Sequence, residues 1–149
     1  MLVESVRKLL NIVNESSMDI NALAQVSDKA LDDAYHYGRS TPGKNFGWLA
    51  NLESAKAAAK LISAGEKDIE KISDAIHDGW NITAMADYNG QLDLDSPTPD
   101  EKKAKRYKLA QQSYAQLPEE EKEKDRVVAR ALLQAITGEQ PTQQKENNE

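Results

Sequence analysis

The chain has no cysteine. That excludes disulfides and thiolate metal sites, and it fits a reducing compartment. Aromatic residues are scarce, with one phenylalanine, two tryptophans and five tyrosines in 149 residues, so the place of each is informative. The two histidines, His36 and His77, do not stand at metal-ligand spacing, so no metal site is expected. Cations are outnumbered, 19 against 25, for a net charge of −6. A sequence-independent nucleic-acid binder needs a surplus of Lys and Arg to displace counterions, so nucleic acid is not expected as a partner. No apolar run approaches membrane-spanning length, and the first residues lack a signal-peptide pattern. The expectation is a cytoplasmic protein without membrane contact.

What the chain does have is helical periodicity. Leu2, Val3, Val6, Leu9, Leu10 and Val13 recur every three or four residues and predict an amphipathic helix. Asp19 can cap a second helix, with Ile20, Leu23, Ala24, Leu31 and Ala34 inward and Gly38 as its stop. Leu49 to Ala64 predicts a third, rich in alanine for close packing and ended by Gly65. Lys67 to about Met85 predicts a fourth. Gly79 inside it costs about 1 kcal/mol against alanine, which marks a weak point or a close approach by another group. Leu92 and Leu94 alternate with Asp93 and Asp95, so a very short strand is the most β structure expected. Thr98 and Glu101 have the spacing of a capping box, with Pro99 suited to the first helical position and 102–112 helical after it. The fold class is mainly α. The expected organisation is an N-terminal helical part over 1–65, a second part over 66–137 and a disordered tail over 138–149, which has almost nothing apolar.

Residues 35–48 form the chemically densest connection. They hold Tyr35, His36, Arg39, Ser40, Thr41, Lys44, Asn45, Phe46 and Trp48 among three glycines and a proline. Loops of this mixture are where binding usually sits. Glycine exposes backbone N–H groups and the cations bind oxygens, so Arg39 and Lys44 are candidate phosphate ligands. The glycine spacing is not that of a Walker loop.

Residues 117–126 read Leu-Pro-Glu-Glu-Glu-Lys-Glu-Lys-Asp-Arg. Pro118 suits the first helical position, and the glutamates meet the positive end of the helix dipole. Val127, Val128, Ala131, Leu132 and Ile136 then give that helix an apolar face. With Tyr114 ahead of it, the block Tyr-x-x-Leu-Pro-Glu-Glu-Glu-Lys-x-x-Asp-Arg resembles the C-terminal signature of the ryanodine-receptor repeat domain. That family also carries a His-x-x-Trp on an upstream helix, which stands here as His77-Asp78-Gly79-Trp80. The resemblance runs from about Lys67 to Ile136, half of the chain, and points to a free-standing bacterial or phage-type member with added N-terminal helices. It implies a compact helical domain whose aromatic cleft holds a purine-type ligand. The chain also departs from the family. The second tryptophan is replaced by Tyr88, and the two X-Pro pairs before the tyrosine by Lys108-Leu109 and Gln112-Ser113. One wall of the implied cleft must be rebuilt, with Trp48 or Tyr35 as replacements.

His77 and Trp80 share a helix face, either as core or as a stacking platform for a planar ring. The leading expectation is a non-catalytic module for a purine nucleotide or ADP-ribose-like molecule. Trp80 stacks the base, His77 is its polar neighbour, and Tyr88, Trp48 or Tyr35 opposes it. His36, Arg39, Lys44 and Asn45 complete the candidate set. No cofactor is expected. With no output domain in the sequence, the expected mode of action is sequestration of a nucleotide signal. The rival is a helical interaction module whose tryptophans are core or contact a protein partner. On either reading the Leu2–Val13 stripe suits a homodimer or small homo-oligomer. A nucleotide-modifying enzyme is the weakest reading, since no Ser-His-Asp grouping is present.

Overall fold

The computed structural model describes residues 19–138. The expected helix over Leu2–Val13 and the tail beyond Gly138 lie outside them. Five α-helices make up the described chain: α1 (Ile20–Tyr35), α2 (Phe46–Ser63), α3 (Ile69–Tyr88), α4 (Asp100–Ala110) and α5 (Glu119–Thr137). A 3₁₀ turn, Tyr114–Gln116, precedes α5. No strand forms among the described residues, so the short β element expected near Leu92 is absent. Residues 91–99 instead run as an irregular arm, pinned where the Asp95 N–H donates to the Lys44 carbonyl at 2.9 Å.

Local chemistry sets most helix ends. The side chains of Asp19, Asn45 and Asp68 accept the N–H groups of Ala22, Trp48 and Glu70, at 3.2, 2.8 and 2.9 Å. The first helix ends earlier than Gly38. His36 takes the left-handed conformation (φ 58°) and its N–H caps the Asp32 carbonyl at 2.7 Å. Gly38 is then held by the Asp32 carboxylate at 2.8 Å. The expected Thr98–Glu101 box does not form, because Pro99 is the residue preceding the helix and carries no side-chain cap. Pro118 likewise stands one position before α5, and Glu119, Glu120 and Glu121 fill its first turn.

The core joins α1, α2, α3 and α5 through Leu23, Ala58, Ile62, Ile69, Ile72, Val128, Leu132 and Leu133. The inward face of α5 includes Ala129 and Leu133, whereas Val127 and Ala131 lie at its edge. On α1, Ala34 is exposed and two polar residues, Ser27 and Asp28, are buried in its place. Ser27 donates to Asn51 at 3.0 Å, and Asp28 receives the Arg39 guanidinium at 2.8 Å and the Ser40 N–H at 3.0 Å. Buried polar groups persist where such partners exist. Helix α4 has no buried residue and lies along α3.

The tightest contact is between α2 and α3. A Cβ at Gly79 would stand 2.6 Å from the Glu53 carbonyl oxygen and 2.9 Å from the Ser54 Cα. Beside it, Ser54 Oγ donates to the Ile76 carbonyl at 3.1 Å. Gly79 is therefore a site of close approach, not a weak point. Alanine there would gain about 1 kcal/mol of helix propensity but would force backbone from backbone, an overpacking cost of about 1–3 kcal/mol. G79A should lower the midpoint of chemical denaturation, although an exposed mid-helix Gly→Ala change raises it. An unchanged or raised midpoint would contradict the contact.

Candidate functional site

Five elements enclose a cavity of about 470 Å³. Its walls include Trp80, His77 and Ile76 of α3, Phe46 and Asn51 of α2, and Leu31 of α1. Helix α4 adds Lys102, Lys105, Arg106 and Leu109, and α5 adds Glu121, Lys124, Asp125 and Val128. The volume falls in the ordinary range of small-molecule sites, about 300–1,000 Å³, and so does the mixture of apolar wall and a few polar groups.

Trp80 is partly exposed and stands on this wall. Phe46 meets it edge-on, with centroids 6.0 Å apart and planes at 82°. The Arg106 guanidinium lies over Phe46 at 3.8 Å from its centroid, a contact worth about 0.5–2 kcal/mol. Arg106 also approaches Asp87 at 3.9 Å. Burial lowers the pKa of Arg106, with Asp87 opposing that shift. Lys124 is engaged by Glu121 at 3.2 Å. Lys102 and Lys105 line the cavity with no ion-pair partner among the described residues. The acidic chain thus carries a locally cationic rim on α4, the arrangement that focuses an anion into a cleft.

His77 is buried, at 3% exposure, and its Nε2 lies 2.8 Å from the Gln112 carbonyl. Its ring is nearly parallel to that of Trp80, with centroids 6.2 Å apart and planes at 12°. The Nδ1 atom stands 3.9 Å from Asp125 Oδ2. Burial, with the Glu121 charge adding to it and Lys124 opposing, pushes the Asp125 carboxyl up to about 8.

The other sequence candidates do not reach this cavity. Trp48 is core, at 3% exposure. Tyr88 stacks on Tyr107 at 3.8 Å and stays half-exposed. Tyr35 stacks on Tyr37 at 5.4 Å. His36 is the α1 cap, Asn45 is the α2 cap, and Arg39 is bound to Asp28. Lys44 pairs with Asp93 at 2.9 Å. Lys44 and Asn45 line a separate shallow groove of about 390 Å³, next to the cavity and sharing Phe46, Lys102 and Arg106 with it. Of the wall residues only His77 and Trp80 were sequence candidates; Phe46, Lys102, Lys105, Arg106 and Asp125 were not. The rarity of phenylalanine was a usable signal for the first. The others sat in stretches read only as helix, 102–112 and the start of the last helix.

Among the described residues no three or more His, Asp or Glu side chains are grouped to hold a metal ion. No helix among them is long and apolar enough to cross a membrane.

Asp125 also links stability to pH. Its carboxyl is neutral in the fold below about pH 8, whereas in the unfolded chain it ionises near pH 4. The folded pKa is raised, so its contribution is complete below about pH 4 and is lost as pH rises towards 8. D125N removes the titration and keeps the shape. The variant should match the native chain near pH 4 and exceed it at pH 8, by an amount on the order of a few kcal/mol. Urea denaturation at the two pH values measures the gap, and equal gaps at both would contradict a buried neutral carboxyl.

Comparison with models of known protein families, with curated proteins and with solved structures finds no match.

Proposed function

We propose that this chain is a ligand-binding module for a planar heterocycle carrying phosphate, a purine nucleotide or an ADP-ribose-like molecule. The observation that carries the reading is a partly exposed indole, Trp80, on the wall of a 470 Å³ cavity whose α4 side presents two lysines without ion-pair partners. A flat ring in that cavity stacks on Trp80 beside Phe46, which meets the indole edge-on, and none of Trp48, Tyr35 or Tyr88 opposes it. The phosphate meets Lys102, Lys105 and Arg106, in place of Arg39 and Lys44. Resemblance to the ryanodine-receptor repeat supports the same ligand class through His77 and Trp80. The module acts by holding its ligand, without chemistry on it, and sequestration of a nucleotide signal is the biological role this suggests. The interaction-module reading accounts for Trp48 in the core, but leaves the cavity and its unpaired lysines without a use.

Calorimetric titration with adenosine monophosphate, adenosine diphosphate and ADP-ribose tests the proposal. Binding should quench part of the tryptophan emission, and W80A should weaken it at least tenfold. The double variant K102E/K105E should weaken the nucleotides several-fold and leave adenosine itself unchanged. Circular dichroism controls for folding. Undiminished binding in folded W80A, or no binding of any of these ligands, would refute the reading.

A further inference from the structure

Stacking on Trp80 leaves two polar groups unused, both on residues that line the cavity. The first is His77 Nδ1. Its sister atom Nε2 lies 2.8 Å from a backbone carbonyl, that of Gln112. A carbonyl only accepts, so Nε2 carries the hydrogen and Nδ1 of the neutral ring is a lone-pair acceptor. The tautomer is set by the fold, before any ligand arrives. The second is the Asp125 carboxyl, whose side chain is 17% exposed and which has no hydrogen-bond partner among the described residues. The 3.9 Å between Nδ1 and Oδ2 is too long for a hydrogen bond between them. Side by side and unjoined on residues of the cavity wall, the two groups are available to a hydrogen-bonding visitor.

We propose that His77 and Asp125 read one edge of the ring stacked on Trp80: Asp125 donates its O–H to a ring acceptor, and His77 Nδ1 accepts an N–H from the neighbouring position. This rests on the stacking reading and narrows it. The ligand must carry a donor and an acceptor side by side on one edge, as the exocyclic amine and adjacent ring nitrogen of adenine do. A purine without the exocyclic amine satisfies one partner and leaves the other bare.

The donor role requires a neutral carboxyl. The groups around Asp125 are Glu121 and Lys124 on its own helix, His77 on α3, and Lys102, Lys105 and Arg106 on the α4 wall of the same cavity. Lys124 is held by Glu121, and Arg106 stands over Phe46 beside Asp87. No cation among the described residues is in contact with the carboxyl, and burial together with Glu121 keeps it protonated to about pH 8. Above that, a carboxylate would set acceptor against acceptor at the ring nitrogen, and the ligand would be released.

Calorimetry with adenosine monophosphate at pH 7 and at pH 9.5 tests this, with the monophosphate of unsubstituted purine riboside as the edge-deleted comparison. The native chain should bind adenosine monophosphate on the order of tenfold more weakly at pH 9.5. D125N keeps an N–H donor that does not titrate, so its affinity should be near that of the native chain at pH 7 and the same at both pH values. D125A should lose about tenfold at pH 7 and show no further loss at pH 9.5. The purine riboside ligand should bind the native chain about tenfold more weakly than adenosine monophosphate at pH 7. Binding that is equal for the two nucleotides, or flat with pH in the native chain, overturns the edge reading while leaving stacking intact. Binding of neither nucleotide at either pH overturns stacking and this inference together.

Discussion

The meeting of α2 and α3 at Gly79 governs the geometry of everything else. Only a residue without a Cβ lets the α3 backbone lie against Glu53 and Ser54. That contact, with Ser54 bound to the Ile76 carbonyl, fixes the rotation of α3 about its axis. Once rotation is fixed, every other side chain on α3 has its direction. Gly79 and Ile76 turn towards α2 and the core. His77 and Trp80, three residues apart, share a flank that opens towards α4 and α5. A bulkier residue at 79 would change the separation of the helices and the angle at which the indole meets the cavity.

Charge is distributed with the same economy. Arg126 gathers acids: its guanidinium meets Glu70 at 2.8 Å, Glu119 and Glu123, and Tyr114 Oη beside them donates to Glu70 at 2.9 Å. Burial, then the bond to Glu70, pushes the Tyr114 phenol up to about 12. The nearest arginine in the sequence to Asp125 is thus already committed. Lys124, on its other side, is committed to Glu121. A carboxyl flanked in sequence by two cations has neither in contact, and burial decides its protonation state. On the opposite wall the imbalance is reversed, with Lys102 and Lys105 having no acid in contact. The cavity therefore has a cationic side on α4 and, across it, a carboxyl that burial holds neutral.

Much of the helical frame was legible because it is written in local terms. Period, the cap at Asp19 and the glycine after α2 all act within one turn of where they are read, whereas the caps at Asn45 and Asp68 were not read. His77 and Trp80 were legible for the same reason, since residues three apart on a helix share a side. The loop over 35–48 was misread because its chemistry is consumed by partners distant in sequence. Asp28 takes Arg39, and Asp93 takes Lys44. No local pattern announces those pairings. Helix α4 posed the opposite difficulty. Its polarity reads as solvent-facing, which it is on most sides, yet one strip of it closes the cavity. Asp125 was hidden one turn beyond the acidic start of α5, in a run of charged residues that gives no local sign of its burial.

The block Tyr114 to Arg126, the most specific piece of sequence in the chain, has a largely structural explanation. Tyr114 and Leu117 are buried, and Arg126 ties the start of α5 back to Glu70 on α3. Pro118 and the glutamates after it start the helix. What these residues share is closure of α5 onto α3, which requires a particular set of side chains in a particular order. The cavity draws on all five helices and makes weaker demands on any one position. A signature of this kind therefore constrains the scaffold more tightly than the ligand. Leu117, Glu121, Lys124 and Asp125 belong to both, since they lie within the closing block and line the cavity, and through them the element that shuts the fold also borders whatever the fold encloses.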